Sequence, residues 1–172
     1  MKNLLVFLLF IFPVNAAIPS IIGGNLIDRT CRQTPYYNLC VRALLSNPHS
    51  FDTDEEGLAR IMVYTIEAKA THTLNQINKL LDERHLEPNV RQALGSCGNR
   101  YNVILRADIP QAIKALQTGR YRFAEQASYD AATEAMTCEE DFTGKSPVSD
   151  MNVMVHDISI VAASIIKNIK SS

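Results

Sequence analysis

Two runs of acidic residues are the first candidates for chemistry, because paired carboxylates serve both acid–base catalysis and metal binding. They occupy positions 54–56 and 139–141. The first run lies in a Thr-x-x-Glu pattern from Thr53 to Glu56, which has the form of a capping box at the start of a helix. The second run is expected on a solvated helix face. Since neither run lies beside a nucleophile or a glycine-rich loop, these acids predict no catalytic site.

The four histidines, at positions 49, 72, 85 and 156, have no metal-binding pattern. No two of them lie three or four residues apart, and the cysteines form no Cys-x-x-Cys motif. The methionine and isoleucine positions are interpreted as core rather than as a cofactor site. The sequence therefore predicts neither a metal nor a cofactor, and we do not expect an enzyme.

Residues 1–16 have the pattern of a secretory signal: a lysine at position 2, an apolar run over 4–12 and a small-residue cleavage site at 14–16. The apolar run is too short to span a bilayer, and we expect no membrane segment in the mature form. Removing the signal takes one of the 17 Lys and Arg residues, which leaves 16 against 18 Asp and Glu, a net charge of −2. This charge does not predict nucleic-acid binding.

Four cysteines in a secreted chain predict two disulfides. Three pairings are open, and the spacing favours Cys31 with Cys40 and Cys97 with Cys138, because each of these pairs lies almost symmetrically about a proline or glycine turn. In the chain-entropy model the shorter loop contributes about 2.7 kcal/mol to stability and the longer one about 4 kcal/mol.

The turn between the second cysteine pair holds the strongest candidates for a binding site. Residues 116–125, LQTGRYRFAE, are typical of a tight turn between two long helices. This turn would place Arg120, Tyr121, Arg122 and Phe123, which we call the tip, in solvent. Tyrosine, phenylalanine and arginine carry much of the binding energy in desolvated pockets. A disulfide between the two helices would order the tip in advance and reduce the entropy lost on docking.

A structural interpretation of the same residues competes with this one. Phe123 would begin the apolar stripe of the following helix and close the end of the bundle. The arginines would then neutralise the carbonyl end of the preceding helix. Composition alone does not choose between the two.

Four apolar stripes with a spacing of three or four residues predict four long amphipathic helices. They span positions 59–81, 90–116, 123–142 and 151–169. Pro110 lies inside the second stripe and is expected to kink or divide its helix. Because the connections are short, sequential helices should be antiparallel neighbours.

The predicted fold is all-α, an up-down-up-down four-helix bundle over residues 54–172. Residues 17–53 would precede it as an N-terminal α-hairpin and loop, joined by the Cys31–Cys40 disulfide. Ser146 and Pro147 are predicted to begin the last helix as its cap and first residue.

Two stretches together resemble the plant invertase/pectin methylesterase inhibitor family, and the resemblance extends over essentially the whole mature chain. Residues 30–40, TCRQTPYYNLC, resemble the first cysteine pair of that family. Residues 107–116, ADIPQAIKAL, resemble the helix of its third cysteine. The resemblance implies a helical bundle with an N-terminal hairpin, and it implies the same disulfide pairing that the spacing favours.

Within that family the chain is more similar to the inhibitors of acid invertases, the β-fructofuranosidases of the cell wall and vacuole. Their hairpin carries a Pro-Lys-Phe tripeptide, which the resemblance implies enters the sucrose-binding cleft of the enzyme. Here Phe123 matches, Arg122 keeps the positive charge and Tyr121 replaces the proline. The expected inhibitory contacts are therefore these three residues together with Arg120, and the expected partner is an acid invertase.

Two other functions stay open. Inhibition of pectin methylesterase uses the same scaffold, so the fold does not separate it from invertase inhibition, although the Arg-Phe pair favours invertase. A secreted helical carrier of small apolar ligands is the other function, since Ala127, Ala131 and Ala135 could leave room in the core. The expected location is the apoplast, and a secretory signal also admits the vacuole.

Overall fold

An N-terminal helical hairpin begins the part of the chain that the computed structural model describes, residues 21–169. It consists of α1 (Ile21–Cys31) and α2 (Tyr37–Leu45). Cys31 and Cys40 form a disulfide, with their Cα atoms 5.5 Å apart. The predicted signal, residues 1–16, lies outside the described residues.

Five further helices form the bundle. They are α3 (Glu55–Leu81), α4 (Pro88–Val103), α5 (Ile109–Gln117), α6 (Tyr121–Glu140) and α7 (Ser149–Asn168). Helices α4 and α5 are the two halves of one long rod, so the architecture has four rods. The described residues contain helices and no strand, and the prediction of an all-α bundle with an N-terminal hairpin is confirmed.

The predicted division of the second rod takes the form of a π-helical turn, Ile104–Asp108, placed just before Pro110. Proline lacks an N–H group and crowds the carbonyl one turn earlier, so a regular α-helix cannot continue through it. One wider turn absorbs the mismatch, and the rod continues as α5.

The apolar stripes form the core as predicted for most of their positions. Core side chains with an exposed fraction near zero include Met62, Ile66 and Ile77 of α3, Leu94 and Tyr101 of α4, Ala127, Ala131 and Ala135 of α6, and Val155, Ile158 and Val161 of α7. Because α6 buries alanines, its backbone can approach α7 closely, and these two helices form the most extensive helix pair of the described structure.

Three local predictions are wrong. The stripe of α6 begins at the buried Ala124, because Phe123 points outward and is 59% exposed. Helix α3 is capped by Asp54, whose carboxylate accepts the Gly57 N–H at 2.9 Å, so the Thr53 to Glu56 capping box does not form. Helix α7 begins at Ser149, later than predicted, and Ser146 instead accepts the Val148 N–H at 3.1 Å in the turn that precedes it.

The second acidic run is exposed at Glu140 and Asp141, as predicted, while the half-buried Glu139 has a structural role. Glu139 accepts a hydrogen bond from the buried Asn152 amide at 2.8 Å, and Asn152 accepts one from the Tyr101 hydroxyl at 2.8 Å. Asp141 pairs with Arg100 at 3.2 Å. These contacts tie α4, the end of α6 and α7 together.

Helix α7 is, by length and composition alone, apolar enough to cross a membrane, which the sequence analysis did not find for any stretch after the signal. Half of this apolar window is buried inside the structure. Its apolar side therefore packs in the core against α3 and α6.

Candidate functional site

The turn before the tip is fixed by its own backbone. Gly119 has a φ of +65°, the left-handed conformation that ends a helix with little strain only for glycine. The N–H of Arg120 donates to the Ala115 carbonyl at 2.8 Å, and the N–H of Gly119 donates to the Leu116 carbonyl at 3.1 Å. This pair of hydrogen bonds is a Schellman motif, and it sets the direction in which α6 begins.

The first turn of α6 presents Arg122 and Phe123 to solvent. Phe123 is 59% exposed, the highest exposure among the large apolar side chains described, and Arg122 is also exposed. The interpretation in which Phe123 closes the end of the bundle is therefore wrong. An exposed phenylalanine beside an exposed arginine makes this turn a candidate binding surface.

Arg120 is held over the ring of Phe123. Its Nε–H donates to the Thr118 hydroxyl oxygen at 3.0 Å, and its guanidinium carbon lies 5.8 Å from the centre of the Phe123 ring. Thr118 in turn donates to the Lys114 carbonyl at 2.8 Å. A cation at this distance from an aromatic face is attracted to it. Arg120 therefore restricts where the exposed ring can lie.

Tyr121 points the other way, toward the body of the bundle. It is half-buried, and its hydroxyl donates to Oε2 of Glu56 at 2.9 Å. This hydrogen bond raises the pKa of Tyr121 above its usual range, since losing the phenolic proton would leave two anions in contact. The structure thus brings Arg120, Arg122 and Phe123 together at the surface and separates Tyr121 from them.

An open groove of about 770 Å³ lies beside Tyr121, where the N-terminal hairpin meets the ends of α3 and α7. Arg29 of the hairpin pairs across it with Glu55 of α3 at 3.1 Å. The other lining side chains described include Leu26, Thr30, Gln33, Ile165 and Asn168. The groove is polar at its α3 side and apolar at its α7 side.

The second disulfide lies at the base of the hairpin that carries the tip. Cys97 and Cys138 are bonded, with their Cα atoms 4.7 Å apart. Arg100, one turn further along α4, pairs with Glu134 and Asp141 at 3.2 Å each. Since about 20 residues separate Gly119 from either cysteine, the disulfide is about 30 Å from the tip at 1.5 Å per helical residue. It joins the rods and does not reach the turn.

Asp108 is an ionisable residue to which the sequence analysis gave no role. It lies in the π-helical turn, is 9% exposed, and its Oδ2 has no hydrogen-bond partner among the described residues. Burial raises the pKa of Asp108 to about 7, and the carboxylates of Asp130 and Glu134 on α6 add to the shift. The sequence feature that could have indicated its burial is its position as an acidic residue in the apolar stripe, midway between Ile104 and Ala112.

Glu56 and Thr118 are the other contributors that sequence reasoning missed, because their roles depend on contacts with the tip rather than on any local motif. Within residues 21–169, the His, Cys, Asp and Glu side chains form no group of three placed to hold a metal ion. Neither Arg120 nor Arg122 forms an ion pair with a described residue. What the tip offers chemically is an ordered cationic and aromatic surface, suited to binding.

Comparison with known proteins supports an inhibitor scaffold. The family pattern described as plant invertase/pectin methylesterase inhibitor matches residues 25–165. The chain is 41% identical over 142 residues to the cell wall / vacuolar inhibitor of fructosidase 1 of Arabidopsis thaliana, covering 83% of this chain and 68% of that protein. It is 30% identical over 143 residues to the pectinesterase inhibitor of Actinidia deliciosa, covering 83% of this chain and 76% of that protein.

The fold has close structural counterparts. The crystal structure of mutant form A of a pectin methylesterase inhibitor from Arabidopsis superposes with a TM-score of 0.70 at 19% identity, covering 83% of this chain and 95% of that one. At this identity the likeness concerns the fold alone, and the family assignment depends on the sequence matches. With the family pattern spanning most of its length and this relative at 41% identity, the chain belongs to the plant invertase/pectin methylesterase inhibitor family.

Proposed function

We propose that this chain is a secreted inhibitor of an acid invertase and that it acts by placing its tip in the sucrose-binding cleft of the enzyme. The observation that carries the proposal is the exposure of Arg122 and Phe123 on an ordered helical turn. Two relatives, 41% and 33% identical, are named cell wall / vacuolar inhibitors of fructosidase, which supports invertase as the target.

The mechanism is occlusion without chemistry. A glycosidase cleft holds two carboxyl groups around the bond that is cleaved. Arg122 would enter as a cation and pair with a carboxylate, a contact of about 1.5–3 kcal/mol when charge-assisted. Phe123 would fill the apolar space that a sugar ring occupies, and Arg120 would keep the phenylalanine ring in place. Sucrose could then not reach the catalytic groups.

The test is inhibition of a purified acid invertase by Arg122→Ala and Phe123→Ala. We expect Arg122→Ala to raise the inhibition constant about 10- to 100-fold, and Phe123→Ala to raise it about 30-fold or more, as for truncated residues at the centre of an interface. Both side chains are exposed, so the free energy of unfolding should change by less than about 0.5 kcal/mol.

Two matched variants control for general surface effects. Arg84→Ala removes an exposed arginine from the α3–α4 loop at the opposite end of the bundle, and Tyr64→Ala removes a 46% exposed aromatic from α3. Both should inhibit as the wild type does. Full inhibition by Arg122→Ala and by Phe123→Ala would exclude the tip as the inhibitory element.

Pectin methylesterase is the second candidate target, because a relative at 30% identity is named a pectinesterase inhibitor. Parallel assays against a cell-wall invertase, a vacuolar invertase and a pectin methylesterase separate these targets. Inhibition of the esterase alone would replace invertase as the target and keep the inhibitor class.

The names of the relatives favour an inhibitor over the third candidate, a carrier of small apolar ligands. We further propose that residues 1–16 are removed on secretion and that residues 17–172 act as one unit, a hairpin over 17–53 and a bundle over 54–172. The apoplast is the expected compartment and the vacuole the other one that the relatives' names include.

A further inference from the structure

The order of the tip cannot come from the nearby disulfide. The Cys97–Cys138 bond lies about 20 residues away along each arm, or about 30 Å at 1.5 Å per residue. The Schellman motif at Gly119 sets the start of α6 through two backbone hydrogen bonds. Neither feature connects the first turn of α6 to the rest of the bundle.

The first turn of α6 joins the bundle through the buried Ala124 and the Tyr121 ring, and one side-chain hydrogen bond adds a directional contact to this packing. The Tyr121 hydroxyl donates to Glu56 at 2.9 Å, across 65 positions of sequence. Glu56 lies in the first turn of α3, whose N-terminus is fixed by the Asp54 cap. The Tyr121 ring also packs against the core beside the groove. The contact therefore ties the first residue of α6 to a rigid helix end.

We propose that Glu56 is a positioning residue for the inhibitory tip, and that Tyr121 acts by holding this carboxylate rather than by contacting the target enzyme. Successive residues of a helix point about 100° apart. When Tyr121 is held inward, Arg122 and Phe123 are therefore directed outward together. Arg120 then holds the Phe123 ring from the other side. This inference rests on the proposed inhibition of acid invertase. It distinguishes tip residues that contact the enzyme from residues that position them.

Inhibition by single and double variants tests the proposal. Glu56→Ala and Tyr121→Phe should each raise the inhibition constant for acid invertase about fivefold, the cost of a net hydrogen bond. The double variant should be no weaker than either single one, because both remove the same contact. If only Tyr121→Phe weakened inhibition, or if the two losses of inhibition added in the double variant, the hydroxyl would contact the enzyme itself. Either result would overturn the proposal.

Two further variants separate the hydrogen bond from charge. Glu56→Gln removes the negative charge and keeps an oxygen acceptor, so it should restore inhibition to near the wild-type value. Glu55→Ala removes a neighbouring carboxylate whose own partner is Arg29, and it should leave inhibition unchanged. Equal losses for all three acidic-residue variants would attribute the effect to charge and overturn the proposal.

Amide hydrogen exchange of the free protein gives a readout that does not depend on the target. Exchange at the hydrogen-bonded amides of Arg120, Phe123 and Ala124 should be faster in Glu56→Ala and in Tyr121→Phe than in the wild type and Glu56→Gln. Unchanged exchange would exclude the positioning role. If the wild type inhibits no invertase while exchange responds as expected, the proposed function fails and the positioning contact stands.

Discussion

Asp108 shows how a single buried group makes this protein sensitive to pH. Its carboxyl faces Asp130 and Glu134 on α6, while the nearby Arg100 is engaged by Glu134 and Asp141. An ionised Asp108 would therefore add a negative charge in a poorly solvated site next to two others. The neutral acid avoids this cost, which is why its pKa rises to about 7 in the folded state.

The raised pKa of Asp108 predicts that this group's contribution to stability is larger in acid. An unfolded aspartate has a pKa of about 3.9, so between pH ~4 and ~7 the unfolded chain loses this proton while the folded protein keeps it. The free energy of unfolding should fall with rising pH in that window, by up to about 1.4 kcal/mol per pH unit. Below pH ~4 and above pH ~7 the contribution of this group should be constant.

Urea unfolding between pH 4 and 8 checks this expectation with Asp108→Asn, a neutral substitute of similar shape. The variant should lose most of the pH slope and should be more stable than the wild type at pH ~7. Asp150→Asn is the control, because the Asp150 side chain is 92% exposed and should keep the wild-type slope. Parallel pH curves for the wild type and Asp108→Asn would disprove the assignment.

The helix ends around the tip depend on one backbone conformation. Gly119 adopts a φ of +65°, and a Cβ added there would meet no atom within 4 Å, so the only cost of a side chain is the left-handed conformation. That cost is about 1–2 kcal/mol for an ordinary residue. The α5–α6 turn therefore requires glycine because of its backbone conformation, and not because a side chain would clash with neighbouring atoms.

Gly119→Ala should accordingly lower the free energy of unfolding by about 1 kcal/mol and raise the inhibition constant, since it disturbs the start of α6. Gly95→Ala is a control in which the free energy of unfolding should change in the opposite direction. Gly95 lies within α4 with open space for a Cβ, so alanine should stabilise the protein by about 0.5–1 kcal/mol. Chemical denaturation of both variants measures the difference. An equal change in both would argue against the conformational explanation.

At the scale of the whole bundle, the disulfides contribute to stability and the tip to recognition. The Cys97–Cys138 bond closes a loop with a sequence separation of 41, and the Cys31–Cys40 bond closes one of 9. In the chain-entropy model these loops contribute about 4 and about 2.7 kcal/mol through the unfolded state. Because the Cys97–Cys138 bond is about 20 residues from the tip along each arm, it should support folding rather than recognition.

Replacing both Cys97 and Cys138 by alanine should therefore cost about 4 kcal/mol of unfolding free energy, and more than the same change at Cys31 and Cys40. Where the variant remains folded, its inhibition of acid invertase should stay within about twofold of the wild type. Equilibrium unfolding in urea and inhibition assays at low temperature measure the two effects. A large loss of inhibition in the folded variant would show that the disulfide orders the tip after all.

The pattern of residues along the chain was sufficient to predict the fold and the position of the tip in the sequence. Apolar residues at a spacing of three and four define the helices, Pro110 divides one rod, and Gly119 ends it, because each of these effects is local in sequence. The cysteine spacing likewise favoured the two pairs that are bonded.

The roles of individual tip residues required contacts between distant segments. Sequence placed Phe123 on an apolar stripe and Glu56 in a capping box, and both assignments were wrong. A one-residue shift rotates a helical side chain by about 100°, which is enough to move it from core to solvent and is below the precision of a periodic pattern. Which side chain faces the bundle, which faces solvent, and how strongly Asp108 is buried depend on how the rods pack against each other.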